Sequence, residues 1–428
     1  MDHRGLARLY AFALVLVLVL GGLTAAWMRI ELATLDVHSS SAFYWRVFST
    51  HALACSFGVA PLAISATIGH LVLPDLLARP RLALLPLAHA ALLATLLGTV
   101  LLLMQATPLR HGLLSPLGVL LLGLGALGMG LPLFATISTR ERARLLDAPL
   151  ALGLSIVGLG QIFGGVMALA LGLGAFGEAA LNWAAPPMTW LEFSGLALIS
   201  QVMLGDSPPR GWARVALGLA LLALGLAALL DWLEPSLAAL GLLARPEGPS
   251  SSASMALGFV GGAALVLAWT HLLRSRPLPE GPTRSFVGLF VLMFGLRSLL
   301  AIYVATLSLD VHLHDTYVVF GLAHLRALMT LLLALPAGLL WCWPRLGLAR
   351  TPSAGWWTSA AWVSGLALSC FVILATMLGH QGMPRRYLAY LPEYWPMQFA
   401  LSLVTIPLLL GPLIWALDLA RAAWARPE

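Results

Sequence analysis

The chain has 428 residues, of which 60% are hydrophobic and only 10% are charged. A typical soluble domain carries about 25% charged residues, so this composition excludes an ordinary water-soluble protein and predicts a chain embedded in lipid. A spanning helix needs about 20 mostly apolar residues, and runs of this kind take up the whole chain, which leaves no room for a soluble domain. The formal net charge of +6 is therefore interpreted as membrane topology. A nucleic-acid surface is not indicated, because no basic patch is interleaved with aromatic residues.

Apolar runs of bilayer length follow one another along the sequence, separated by segments that carry Pro, Gly and charge. They predict an all-α membrane protein in which residues 1–428 form a single integral-membrane domain of twelve transmembrane helices. The runs lie at about 9–28, 48–73, 82–104, 114–137, 147–174, 188–204, 213–233, 255–273, 286–308, 317–342, 357–379 and 396–420.

The arginines predict the orientation of these helices. Sixteen arginines lie at one set of helix ends and six lie at the other. Positive charge favours the cytoplasmic side of a membrane, so both termini are predicted to be cytoplasmic and the protein to be integral to a bacterial cytoplasmic membrane. The six arginines on the predicted outer side are Arg29, Arg46, Arg110, Arg245, Arg385 and Arg386.

Two histidines stand within apolar runs that descend in the same direction from the predicted outer face. With a rise of 1.5 Å per residue, His51 lies about 7 Å below a helix start near Arg46, and His324 lies about 10 Å below a start at Tyr317. Two imidazoles at similar depth are compatible with a haem held edge-on between two helices. The alternative is that each histidine is a hydrogen-bond partner between helices, a role about as frequent for a membrane histidine.

Two adjacent arginines, Arg385 and Arg386, lie in a predicted outer loop on the same side as the two histidines. Guanidinium groups suit haem propionates, because they bind carboxylates through two parallel hydrogen bonds. The alternative is an interfacial anchor at the membrane surface, and the residue pattern leaves both open.

Four stretches of the sequence resemble subunit I of cytochrome c oxidase, of the haem–copper oxidase superfamily. SLDVHLHDTY (308–317) resembles the segment that leads into helix X of that subunit, and HQGMPRRYLAY (380–390) resembles its signature between helices XI and XII. WMRIEL (27–32) is similar to the end of its helix I, and residues 49–77 resemble its helix II. The resemblance covers nearly the whole chain and implies the subunit I fold, a twelve-helix bundle with both ends in the cytoplasm.

The resemblance implies one low-spin haem with two axial histidines. His51 matches the ligand on helix II, and His324 matches the ligand on helix X. Arg29 matches the arginine that hydrogen-bonds the formyl group of haem A. Haem A is therefore indicated, with haem B as the alternative.

The resemblance also implies a set of residues at the outer face. Arg385 and Arg386 match the pair that binds the haem propionates, and His314 and Asp315 match the positions that ligate magnesium at the contact with subunit II. The implied partners are a subunit II-like protein and other subunits of a respiratory complex in a lipid membrane.

The oxygen-reducing site of the family is not matched. Leu322 occupies the position of the histidine that binds the high-spin haem. Ala185 replaces a copper ligand of helix VI, and Trp232 and Leu233 replace the His-His pair of helix VII. Copper at such a site needs imidazole ligands, so no copper is expected and no catalytic residue is assigned.

These residues predict a haem-binding membrane subunit that serves electron transfer or structural support in a respiratory complex, beside a catalytic oxidase subunit. One alternative is an oxygen-reducing terminal oxidase subunit, as the resemblance by itself implies, so whether the chain is an enzyme stays open. The other is a haem-free scaffold or assembly subunit, which the histidines and the arginine pair oppose. The sequence does not indicate the electron donor or acceptor.

Overall fold

Long helices dominate the computed structural model of the protein. It describes residues 2–105, 114–137, 148–173, 186–239, 252–304 and 312–424, without 208, 210, 314, 349 and 386. Over these residues, each of the twelve predicted apolar runs overlaps one long helix. The helices are α1 (His3–Glu31), α2 (Ser41–Leu76), α3 (Leu85–Gln105), α4 (Leu114–Thr136), α5 (Pro149–Gly172), α6 (Pro186–Leu204), α7 (Trp212–Ala239), α8 (Ser252–Ser275), α9 (Pro282–Val304), α10 (Tyr317–Leu346), α11 (Ala354–His380) and α12 (Trp395–Trp424).

Most of these helices have the length and composition of membrane spans. Eleven are long and apolar enough to cross a membrane, and the apolar part of α6, Thr189–Leu204, is shorter. The predicted all-α membrane fold is therefore confirmed. The cytoplasmic location of both termini stays a prediction.

Helix α2 begins seven residues before the predicted run, at Ser41 instead of residue 48. The hydroxyl and the carbonyl oxygen of Ser40 both accept hydrogen bonds from the Phe43 backbone N–H, at 3.3 and 3.0 Å. A side-chain oxygen at this position satisfies a backbone N–H that the first helical turn leaves without a partner. His51 therefore lies about 15 Å along the helix from its start, deeper than the 7 Å expected from hydropathy.

Helices α2 and α10 contain π-helical segments that the sequence did not indicate. In α2 these are Ala54–Val59 and Leu62–Gly69, and in α10 the segment is Thr330–Ala334. The first segment begins three residues after His51, and the third begins six residues after His324. Single π-helical turns are frequent at functional sites, so both candidate ligand helices carry this feature just beyond the histidine.

The chain divides into two compact units, and the first consists of Met1–Val17, Ala52–Pro279 and Trp341–Gly347. Small residues let its helices approach closely. A Cβ atom at Gly123 of α4 would lie 2.9 Å from the carbonyl oxygen of Gly165 of α5. Such close backbone contact is the usual way for membrane helices to gain packing energy where lipid offers no hydrophobic driving force.

The second unit consists of Leu18–His51, Glu280–Leu340 and Leu348–Glu428. A buried carboxylate joins its helices α11 and α12. This is the side chain of Asp418 of α12, which is only 2% exposed. Asp418 Oδ2 accepts hydrogen bonds from the Ser353 backbone N–H and from Trp357 Nε1, both at 2.9 Å. The carboxylate thus caps the first turn of α11 from a different helix, where a negative charge is also favoured by the helix dipole.

We expect Asp418→Ala to destabilise the protein by about 1–3 kcal/mol, because two buried donors would lose a charged acceptor. The measurement is the melting temperature of the detergent-solubilised chain. Asp418→Asn keeps an oxygen acceptor without the charge and should lose less. Asp36→Ala is the control, because Asp36 is exposed, and equal melting temperatures for Asp418→Ala and Asp36→Ala would contradict the cap.

Candidate functional site

The second unit contains three of the residues that were predicted to contact the haem. Arg29 is carried by α1, His51 by α2 and His324 by α10. Both Arg29 and His51 are close enough to His324 to act on it electrostatically. Residues that are far apart in the sequence therefore lie near one another in this unit.

The His324 ring is oriented by its own helix and by aromatic neighbours. Its Nδ1 lies 2.9 Å from the carbonyl oxygen of Phe320, and this oxygen can only accept a hydrogen bond. The proton is therefore on Nδ1, and Nε2 carries the lone pair that a metal would use. The rings of Phe320 and Phe371 lie 4.1 and 5.8 Å from the imidazole centroid.

The His51 ring is oriented by α1. Its Nδ1 lies 3.1 Å from the carbonyl oxygen of Gly21 and 3.1 Å from Thr24 Oγ1. Thr24 donates its own hydroxyl proton to Gly21 O at 2.7 Å, so both oxygens accept from the imidazole. His51 thus has the same tautomer as His324, with the lone pair on Nε2. Sequence reasoning missed Thr24, although a threonine in an otherwise apolar run was a signal.

Arg29 is buried, with 7% of its surface exposed, and α12 binds one end of its guanidinium group. Arg29 Nη2 donates to the carbonyl oxygen of Gln398 at 2.8 Å, to Gln398 Oε1 at 2.7 Å and to Ser402 Oγ at 3.0 Å. Arg29 Nε and Nη1 and Gln398 Nε2 are buried donors that make no hydrogen bond to any residue described by the structure. Because buried donors without an acceptor are rare and costly, this cluster of donors is suited to a ligand that brings an acceptor.

Hydrogen bonds hold the segment that follows α1 in place. The buried carboxylate of Glu31 accepts from the backbone N–H groups of His38 and Ser39 at 2.9 and 2.8 Å. The Tyr390 hydroxyl donates to the carbonyl oxygen of Leu32 at 2.6 Å. Partial burial raises the pKa of the Tyr390 phenol, so it remains a donor at neutral pH. These bonds fix the chain just before α2 and thereby support the position of His51.

One of the predicted propionate residues, Arg385, contacts one of the predicted magnesium residues, Asp315. Arg385 Nε and Nη2 donate to Asp315 Oδ1 at 3.2 and 2.8 Å. The Arg385 backbone N–H also donates to the Asp315 carbonyl oxygen at 2.9 Å. The other two predicted residues, Arg386 and His314, lie outside the described residues. Within the described ranges, no group of three or more His, Cys, Asp and Glu residues is arranged to hold a metal ion.

The structure describes, to different extents, the four residues that the resemblance assigns to the positions of catalytic ligands. Leu322 packs against an apolar cluster of Val304, Leu313 and Val318. Leu233 is half-buried on α7. Ala185 lies outside the described residues, and of Trp232 only the helical backbone is described.

Comparisons with known proteins show what this chain is similar to. The family model described as "Cytochrome C and Quinol oxidase polypeptide I" matches residues 235–408, which include His324, Arg385 and Arg386. The "Cytochrome c oxidase polypeptide 1" of Halobacterium salinarum is 29% identical over 138 residues, which are 31% of this chain. The match spans only 22% of the length of that relative.

A solved structure resembles the whole chain. It is a cryo-EM structure of a heme–copper terminal oxidase dimer, which matches with a TM-score of 0.70 and 16% sequence identity over 100% of this chain and 85% of that chain. The fold of this chain is thus similar to that of the heme–copper terminal oxidase, and its long apolar helices fit an integral membrane protein. Fold and sequence together show a chain that is similar to polypeptide I of cytochrome c oxidase.

Proposed function

We propose that the chain binds one low-spin haem through His51 and His324 and serves electron transfer or structural support in a respiratory complex. The observation that carries the proposal is the arrangement of the two imidazoles. Each donates Nδ1–H to a backbone carbonyl oxygen of the same unit, which fixes the ring and directs the metal-binding role to Nε2. Histidine ligands of metals are almost always held by such a hydrogen bond.

The residues around the two imidazoles fit a haem with an acceptor at its edge. Arg29 Nε, Arg29 Nη1 and Gln398 Nε2 are the donors that such a group would satisfy. A formyl oxygen is an acceptor of this kind, which supports haem A over haem B. A bound haem would supply one-electron redox chemistry, and the rings of Phe320 and Phe371 would pack beside its His324 ligand.

The outer ion pair supports a role for this face in assembly. Asp315 and Arg385 satisfy each other, so Arg385 would have to share its guanidinium group to hold a propionate as well. A subunit II-like protein is the proposed partner here, and a catalytic oxidase subunit is proposed to act beside the chain. The same ion pair favours the second candidate function, a haem-free scaffold, because Asp315 and Arg385 neutralise each other's charge without a ligand.

The haem content of the purified protein decides between these two functions. A pyridine haemochrome assay with metal analysis should give one haem per chain and no copper, because both low-spin ligands are present and the copper ligands are replaced. Protein without haem after expression in a haem-sufficient host would favour the scaffold. Two haems or stoichiometric copper would show that the chain carries a full oxidase centre.

Arg29→Met is expected to shift the visible absorption band of the bound haem A towards shorter wavelength. The reason is that the substitution removes the donors facing the formyl oxygen while keeping an unbranched side chain of similar length. Ser402→Ala is the matched control, since it removes one acceptor of Nη2 and leaves Arg29 in place. A haem B spectrum in the native protein, or an unchanged band in Arg29→Met, would contradict the assignment.

A further inference from the structure

A small cavity with mostly apolar walls and a few polar groups lies in the first unit. Its volume is about 20 Å³, and about 10–15 Å³ is enough for one water molecule. The helices α2, α4, α5 and α6 contribute its walls. Its polar lining residues are Ser56, Gln161 and Ser194, and its walls include the aromatic rings of Phe57 and Trp190.

The amide of Gln161 is oriented by a chain of hydrogen bonds. Ser65 donates its hydroxyl proton to the carbonyl oxygen of Pro61 at 2.6 Å. The Ser65 oxygen can therefore only accept, and it accepts from Gln161 Nε2. Because only the NH₂ group of the amide can donate to this oxygen, the contact assigns the nitrogen and the oxygen of the Gln161 side chain. Gln161 Oε1 is consequently the remaining atom of the amide, and it is buried without a hydrogen bond from the described part of the chain.

Ser194 offers a second acceptor in the same cavity. Its hydroxyl group donates to the carbonyl oxygen of Leu191 at 2.7 Å, so the lone pairs of the hydroxyl oxygen can accept a hydrogen bond. Gln161 and Ser194 are 7% and 3% exposed, and bulk solvent does not reach them freely. None of the residues that line the cavity is ionisable, so the site suits a small neutral molecule that donates two hydrogen bonds.

We propose that this cavity binds one water molecule, which donates hydrogen bonds to Gln161 Oε1 and Ser194 Oγ. The water completes the hydrogen bonding of a glutamine in the middle of a membrane span, where an unsatisfied amide is costly. It also links α5 to α6 beside the first π-helical segment of α2. The proposal does not depend on haem binding.

Radiolytic footprinting in ¹⁸O-labelled water tests the site, because hydroxyl radicals formed from a bound water oxidise the side chains beside it. In the wild-type chain, Trp190 should be oxidised several-fold faster than Trp343. These two residues are matched in exposure, at 6% and 5%, but only Trp190 lines the cavity. Oxidation of Trp190 no faster than Trp343 would overturn the proposal without any variant.

Gln161→Leu removes the acceptor, and it should reduce the oxidation of Trp190 to the level of Trp343. Gln201→Leu is the matched control. Gln201 is also buried, but its Nε2 already donates to the carbonyl oxygen of Gly205 at 2.8 Å, so Trp190 should be oxidised as in the wild type. Unchanged oxidation of Trp190 in folded Gln161→Leu would also overturn the proposal.

Discussion

His51→Ala and His324→Ala are each expected to abolish the six-coordinate low-spin haem spectrum. Each substitution removes one of the two axial nitrogens, and the structure offers no second imidazole on the same turn of either helix. The effect should be nearly complete, because a low-spin iron needs strong ligands on both faces. The measurement is the optical spectrum of each purified variant together with its haem content.

Two variants separate ligand loss from general damage. His89→Ala should keep the spectrum, although His89 makes the same kind of contact as His324, with Nδ1 2.8 Å from the carbonyl oxygen of Leu85. Thr24→Val keeps His51 and removes only the hydroxyl that contacts its Nδ1, so the haem should remain low-spin. A normal low-spin spectrum in both ligand variants would show that the haem assignment is wrong.

The purified chain is expected to consume no oxygen with reduced cytochrome c or a quinol as donor. Oxygen reduction by the haem–copper oxidases needs an iron with an open position that faces a second metal, and the resemblance implies that the residues for that arrangement are replaced here. It assigns Leu322, which packs among apolar side chains, to the position of the high-spin haem ligand. It assigns Ala185, Trp232 and Leu233 to the positions of the copper ligands, and none of these side chains coordinates copper.

The test compares oxygen uptake by the purified chain with uptake by the same chain in its native complex, with and without cyanide. We expect cyanide-sensitive uptake only in the complex. Leu322→His is an informative addition, because it restores one imidazole and leaves the copper positions unchanged, so it should remain inactive. Cyanide-sensitive turnover by the isolated wild-type chain would contradict the hypothesis and favour an oxygen-reducing oxidase subunit.

Hydropathy alone was enough for the order of the long helices in the part of the chain that the structure describes. The solvent is lipid, and a spanning segment must satisfy its backbone hydrogen bonds internally. A long apolar run therefore forms an α-helix. The start of α2 was predicted seven residues too late, because that helix begins at a hydroxyl cap, Ser40, in a polar stretch. The π-helical segments were also not predicted, because they depend on how neighbouring helices pack.

The candidate ligands His51 and His324 could be identified from the sequence, since imidazoles in apolar runs and the strings around them are local signals. The residues that position these ligands could not be identified in this way. Thr24 contacts His51 across 27 positions, and Gln398 contacts Arg29 across 369. A hydrogen bond between different helices leaves no periodic trace in either one. The pairing of Arg385 with Asp315 was likewise decided only by the tertiary structure, because it depends on two loops that the helices bring to the same place.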